Sequence, residues 1–272
     1  MADILEDIVA YKKLEIERYK KELSQNILES RVEILKKGQT ESMKAALKAS
    51  DTGIIAEFKR KSPSKGWINR EAMANIIPRH YQDYGAAALS ILTDTHFFGG
   101  NSVDIRNARL SKVNIPILYK NFIIDDYQIY QARLTGASAI LLIAACLSKD
   151  QCRDYIAKAH ELGLEVLLEM HTEEETEYAE LEPDMYGVNN RNLGTFETDV
   201  NNSYQLLSRL PYDGVKVSES GISDPNVVKQ LRDCGFRGFL IGENFMKEPD
   251  PALAMANFIA QLKALNTLNA QV

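Results

Sequence analysis

Residues 54–66 read Ile-Ile-Ala-Glu-Phe-Lys-Arg-Lys-Ser-Pro-Ser-Lys-Gly, an apolar run that gathers charge at its end and then breaks up into turn residues. It follows the turn cluster Ser50-Asp51-Thr52-Gly53, so a strand is expected over 54–59. Glu57 and Lys59 stand two residues apart and therefore share one face of that strand, with Phe58 on the other. Charge inside a buried strand is costly unless it opens on a polar site. This segment therefore calls for a fold in which strand ends converge on a cavity.

Seven more apolar runs follow, at 88–93, 117–122, 139–144, 165–170, 185–189, 215–219 and 238–241. Amphipathic stretches with helix punctuation separate them. Asp125 is a candidate N-cap with Gly136 closing its helix, Ser148 pairs with Gly163, and Asp224 precedes Pro225 with Gly235 at the end. Strand-then-helix order implies a parallel sheet covered by helices, which explains why the strands are continuously apolar. Eight units in 272 residues predict an α/β fold, a (β/α)8 TIM barrel, over a doubly wound open sheet. The reading is one barrel domain over 1–272. Residues 1–50 form a helical extension packed on it: a leading amphipathic helix through Ile4, Leu5, Ile8, Val9, Ile16, Tyr19 and Leu23, opened by a capping box at Asp3 and Glu6, and a second over 41–49.

A net charge of −6 argues against a general nucleic-acid or anionic-membrane binder, since both need a basic face. The longest apolar run, 139–147, is about half the ~20 residues of a spanning helix. The amino terminus is acidic where a signal peptide needs positive charge, so a cytoplasmic protein is expected. Cys146, Cys152 and Cys234 lack a C-x-x-C spacing and read as reduced core thiols.

Charges recur where strands end: Tyr119-Lys120-Asn121, Glu169-Met170-His171, Asn189-Asn190-Arg191 and Glu219-Ser220-Gly221. Each alone reads as a surface salt bridge at a strand mouth. Facing one cavity with Glu57 and Lys59, they make a cluster of two lysines, one arginine and three glutamates in which acid and base roles become possible. The turns Ser220-Gly221-Ile222-Ser223 and Ile241-Gly242-Glu243-Asn244, after the seventh and eighth strands, suit a phosphate. Glu243 is an awkward neighbour for a dianion and would lend only its amide. No metal site is expected, because H-E-x-x-H is absent and His80, His96 and His160 lack partners at ligand spacing. For His171 a structural role and a chemical one are both open.

The string Glu57-Phe58-Lys59-Arg60-Lys61-Ser62-Pro63-Ser64-Lys65-Gly66 resembles the first-strand signature of indole-3-glycerol-phosphate synthases. The likeness continues in order through Leu92-Thr93-Asp94, Phe97-Phe98-Gly99-Gly100, Lys120-Asn121-Phe122-Ile123, Leu167-Leu168-Glu169-Met170-His171, Asn189-Asn190-Arg191-Asn192-Leu193, Ser218-Glu219-Ser220-Gly221-Ile222 and Phe239-Leu240-Ile241-Gly242. It covers essentially the whole chain. The resemblance implies a carboxy-lyase of tryptophan biosynthesis. It would cyclise 1-(2-carboxyphenylamino)-1-deoxyribulose 5-phosphate, with loss of carbon dioxide and water, to indole-3-glycerol phosphate, with no cofactor.

Carried over by motif, Lys120 resembles the general acid that protonates the ketone oxygen, and Glu169 the acid or base of the dehydration. Lys59 would hold the substrate carboxylate and is a second proton donor, while Glu57 and Asn189 orient the lysines and sugar hydroxyls. The likeness places the phosphate near Ser62, Ser220, Gly221, Gly242 and Glu243, with Arg191 at the anionic end of the pocket. Pro63, Phe97, Phe122 and Leu142 would wall the aromatic ring, though for Leu142 ordinary core is an equal reading. Arg60, Lys61 and Lys65 are expected to have surface or substrate-access roles. Asn121, Tyr119, Asn101 and Glu243 depart from residues frequent in the family. The implied partners are a phosphorylated small molecule and other tryptophan-pathway enzymes, for a monomer. The competing readings are phosphoribosylanthranilate isomerase, a Schiff-base aldolase using Lys120, and a barrel that binds phosphate ligands without turnover.

Overall fold

The structure, a computed structural model, describes residues 4–35, 41–192 and 194–269, so the Asp3 half of the expected capping box and Leu193 lie outside the described residues. The eight expected strands form: β1 (Ile54–Phe58), β2 (Ala88–Leu92), β3 (Ile117–Lys120), β4 (Ala139–Ile143), β5 (Glu165–Met170), β6 (Met185–Asn189), β7 (Val215–Glu219) and β8 (Phe236–Ile241). They close into a barrel in sequence order, every pair parallel, with β1 hydrogen-bonded to both β2 and β8. The register carries Glu57 opposite Ser90, Ile143 opposite Glu169 and Asn189 opposite Glu219, which brings the polar strand ends to one rim.

Both faces of each strand are buried, and the alternation sorts them. Ile55, Leu118, Leu141, Leu167, Met185, Val217 and Leu240 point inward. Phe58, Ile91, Tyr119, Leu142 and Phe239 point outward against helices, meeting side chains such as Tyr81, Ile156 and Phe258. Burial of each large apolar side chain stabilises by about 1.5–3 kcal/mol, which is why the phase of a strand is strongly specified. The expected Leu142 wall is therefore corrected: Leu142 belongs to the strand–helix layer, and Leu141 and Ile143 face the cavity.

Local signals set the helix ends. The Asp125 side chain accepts from Tyr127 N and Gly136 ends that helix at φ 86°. Ser148 and Gln151 form a reciprocal capping box, and Asp224 caps the helix that Pro225 opens. The amino-terminal segment holds three helices, α1 (Ile4–Glu22), α2 (Gln25–Ile34) and α3 (Met43–Ala49). Here α2 is an addition to the two helices expected; only its Leu28 and Val32 are buried, against Tyr127 and Tyr130, so its apolar stripe is thin. Met43 and Leu47 of α3 close the amino end of the barrel, anchored where Ser42 Oγ and Lys44 N donate to the Glu165 carboxylate at the start of β5. Of the three cysteines Cys152 is buried and Cys146 partly so, but Cys234 is exposed at the end of its helix, contrary to the core reading.

One feature of α1 escapes any apolar periodicity. Lys12 and Glu15 sit on its buried face, and Lys12 Nζ lies 2.5 Å from Glu15 Oε2 and 2.7 Å from Asp94 Oδ2 in the loop after β2. Lys12 is 1% exposed and Asp94 0%, so the pair is fully withdrawn from water.

Candidate active site

Alternation places every second residue of a strand inside the barrel, so the last inward position of each strand lies at the carboxyl-end rim. Those positions are Glu57 on β1, Lys120 on β3, Glu169 on β5, Asn189 on β6 and Glu219 on β7. They line one cavity of about 560 Å³, together with Lys59 just beyond β1. Of the binding residues expected from sequence, Ser62, Pro63, Phe122, Arg191, Ser220, Gly221, Gly242 and Glu243 line the same cavity. Phe97 and Leu142 do not.

The centre of the cavity floor is one ammonium between two carboxylates. Lys120 Nζ donates to Glu219 Oε2 at 2.6 Å and to Glu169 Oε2 at 3.2 Å. Lys59 Nζ stands 2.7 Å from Glu57 Oε1. On the far side of Glu169, Oε1 is 3.2 Å from His171 Nε2, and His171 Nδ1 is 3.3 Å from Glu175 Oε2. Burial disfavours each of these charges by several kcal/mol, while an opposite charge at contact distance returns a comparable amount at the effective dielectric of a protein site. The number of partners therefore decides the outcome.

For Lys120, burial pulls the pKa down, but Glu219, Glu169 and Glu57 together outweigh it and hold the ammonium well above the usual lysine range. For Glu169, burial pushes up, yet Lys120 and His171 prevail and the carboxylate lies well below its usual range. Glu219 is pushed up to about 7, by burial first and by the neighbouring Glu169 charge, against the opposing pull of Lys120. His171 is lifted to about 10: burial works against the imidazolium, but Glu169 and Glu175 flank it. Two adjacent carboxyl groups with pKa values driven apart can hold an acid and a base at the same pH.

At one side of the mouth, Ser220 (φ 68°) and Gly221 (φ 74°) adopt left-handed conformations after β7, while Gly242 precedes the short helix Glu243–Met246 after β8. A side chain on Gly242 would begin 2.2 Å from Glu57 Oε1, so only glycine lets this turn close on β1. Arg191 donates from Nη1 to Ser64 Oγ at 3.1 Å and lies 3.8 Å from Glu243 Oε2. The Glu243 carboxylate is thus drawn toward Arg191, which answers its awkward position beside an anion site.

The opposite side is apolar. Phe98 and Phe122, with ring centroids 5.9 Å apart, line the cavity beside Pro63, and Leu5 and Ile8 of α1 reach over it. The expected Phe97 wall is corrected to Phe98. Asp94 Oδ1 accepts from the amides of both Phe97 and Phe98, at 2.6 and 3.0 Å. In that tight turn the Phe98 ring goes to the cavity, and the Phe97 ring packs edge-on against Tyr11 of α1 and His96. Arg60 pairs with Asp104 and Lys61 donates to His96 O, so both are separate from the site, whereas Lys65 lines it.

Three contributors carry no individual role in the sequence reading. Glu219 was visible as a strand-end charge, and the inward alternation Val215, Val217, Glu219 was the signal that would have added it. Room for it comes from β6, where a side chain on Gly187 would begin 2.5 Å from Glu219 Oε1. The contribution of α1 carried no local signal, because a helix that covers a distant rim looks like any amphipathic helix. The partnership of His171 with Glu175 was open to a strand-end spacing argument but not decided by it.

Comparison with known proteins identifies the family. The profile of the family described as indole-3-glycerol phosphate synthase matches residues 5–258. An indole-3-glycerol phosphate synthase of Bacteroides thetaiotaomicron is 55% identical over 268 residues, covering 97% of this chain and 100% of that protein. One from Polynucleobacter asymbioticus is 41% identical, covering 96% and 100%. Among solved structures, 3-hexulose-6-phosphate synthase of Salmonella typhimurium superposes with a TM-score of 0.59 at 15% identity, over 77% of this chain and 99% of that one. A mutant tryptophan synthase α-subunit of Pyrococcus furiosus does so with a TM-score of 0.59 at 14% identity, over 79% and 98%. At such identities these two likenesses speak for the barrel alone.

Proposed function

This chain belongs to the indole-3-glycerol phosphate synthase family, and from that premise we propose how its cavity divides the work of the reaction. The reaction closes the indole ring of 1-(2-carboxyphenylamino)-1-deoxyribulose 5-phosphate with loss of carbon dioxide and water, a carboxy-lyase step of tryptophan biosynthesis. The aromatic ring lies between Phe98, Phe122 and Pro63. The phosphate takes the backbone amides around Ser220–Gly221 and Gly242–Glu243. Lys59, steadied by Glu57, holds the carboxylate that is later lost.

Lys120 then faces the ketone carbon. It protonates the oxygen as the ring carbon attacks, a charge-neutralising transfer that is effective because the donor is already in place and shielded from bulk water. Glu169 serves the dehydration, and Asn189 orients the sugar hydroxyls. The observation that carries this reading is the Lys120 ammonium held between Glu169 and Glu219 on the cavity floor. The same arrangement speaks against a Schiff-base aldolase, which needs a neutral amine at that position. A binder without turnover would have no use for an ammonium that is held between two carboxylates and opens on the ligand cavity.

Purified protein incubated with the carboxyphenylamino substrate, without added metal, is expected to give indole fluorescence and no borohydride-trapped adduct on Lys120. Phosphate-dependent thermal stabilisation without turnover would replace the reading with a binder. The chain is proposed to work as a cytoplasmic monomer that exchanges substrate and product with other enzymes of the pathway, which light scattering can check. Among the described residues no helix is long and apolar enough to cross a membrane.

A further inference from the structure

The two carboxyl groups on Lys120 are not equivalent. Glu169 has a basic group near each oxygen: Lys120 Nζ donates to Oε2 at 3.2 Å, and His171 Nε2 stands 3.2 Å from Oε1, an ion-pair distance without hydrogen-bond geometry. Glu219 has Lys120 at Oε2, while its Oε1 is buried without a hydrogen-bond partner among the described residues. His171 is itself fixed. Its backbone N donates to Glu175 Oε2 at 2.6 Å, its Nδ1 stands 3.3 Å from the same oxygen, and its carbonyl accepts from Asn202 Nδ2 at 3.0 Å. Its side chain is 8% exposed, so the ring has little access to water.

We infer that His171, clamped between Glu169 and Glu175, is a positioning residue that keeps Glu169 a carboxylate and leaves the exchangeable proton of the Glu169–Glu219 pair on Glu219. The inference rests on the proposed roles of Lys120 and Glu169 and deepens them. The charged and polar groups around this pair are Lys120 from β3, Glu219 from β7, Glu57 from β1 acting on Lys120, Asn189 from β6 beside Glu169, and Glu175 behind the imidazole. Two cations on one carboxylate and one on the other leave Glu219 as the weaker acid. The elevated positions of His171 and Glu219 agree with this arrangement.

The consequence for dehydration is a direction of proton flow. Neutral Glu219 gives its proton to the departing hydroxyl as the C–O bond breaks and water forms. The Glu169 carboxylate takes the proton released from carbon as the ring double bond forms. One proton has then moved from Glu219 to Glu169, and exchange with solvent restores the pair.

The test is kcat against pH for the wild type and His171→Gln, which keeps a hydrogen-bond donor beside Glu169 but no charge. Loss of the cation lets Glu169 take up a proton at higher pH, so the acid limb should move up by about one pH unit. On that acid limb, below the usual carboxylate range, turnover at a given pH should then fall about tenfold, while turnover near pH 8 should change far less. An equal fall at every pH would mean a structural role and overturn the inference. Should the variant fail to fold, the 15N shifts of the His171 ring in the wild type decide. An imidazolium near pH 8 is expected, and a neutral ring there overturns the inference. That measurement also separates the two ideas, since wild-type protein without turnover would sink the proposed function while the ring signal still reports on His171.

Discussion

Lys12 and Lys120 are each held by two carboxylates, and they do different things. Lys12 of α1 stands 2.5 Å from Glu15 and 2.7 Å from Asp94; Lys120 of β3 stands 2.6 Å from Glu219 and 3.2 Å from Glu169. Both ammonium groups are held above the usual lysine range by the same kind of balance, burial pulling down and neighbouring acids pulling up harder. The surroundings separate them. Asp94 spends its other oxygen on the amides of Phe97 and Phe98, and the Lys12 cluster is sealed between α1 and the loop after β2. The Lys120 cluster opens on the cavity. Charge, burial and stoichiometry alone do not make a catalytic group; access to a ligand does.

That contrast can be broken most forcefully at Glu169. Glu169→Gln should lower kcat by about 10³, the range of a lost general acid or base, with the fold retained in circular dichroism. A loss of only a few-fold would leave the cavity cluster as inert as the sealed one. Next in size is Asp94→Asn, which leaves Lys12 with a single acid and should cost about 3 kcal/mol in urea unfolding. A cost below about 1 kcal/mol would mean that the sealed cluster does not lock α1 to the barrel.

How far the chain could be read before folding depends on what kind of signal each feature leaves. All eight strands were legible, because a parallel strand buried on both faces leaves a continuous apolar run bounded by turn residues and caps. The charged rim was legible for the same reason in reverse, since Glu57, Lys120 and Glu169 stand out against apolar text. The phase of a fully apolar run was not: Leu141, Leu142 and Ile143 are chemically alike, and only the closed register shows that Leu142 points outward. Phe97 and Phe98 are likewise adjacent and identical, and Asp94 sorts them through two amide hydrogen bonds. Lys12 was invisible because a lysine on the buried face of an amphipathic helix has no meaning until Asp94, far along the chain, is folded against it.

The sorting by Asp94 is itself open to test. Phe98→Ala should raise KM about tenfold by removing apolar contact with the ring, whereas Phe97→Ala should leave KM nearly unchanged and lower stability through its contacts with Tyr11 and His96. Equal effects on KM would show that both rings reach the substrate. The smallest expected change is at the phosphate end. Glu243→Ser removes a carboxylate beside the proposed anion site and should lower KM by about two- to threefold, with kcat unchanged. A higher KM would mean that Glu243 serves the site by holding Arg191 in place.

The most direct measurement sets the two lysines side by side, with kcat and the urea midpoint recorded for Lys120→Met and Lys12→Met under the same conditions. Lys120→Met should lose about 10³ or more in kcat while keeping most of its stability, and Lys12→Met should lose about 3 kcal/mol of stability while the molecules that remain folded keep their kcat within about tenfold. Comparable turnover in the two variants would contradict the assignment of Lys120 as the acid of this enzyme.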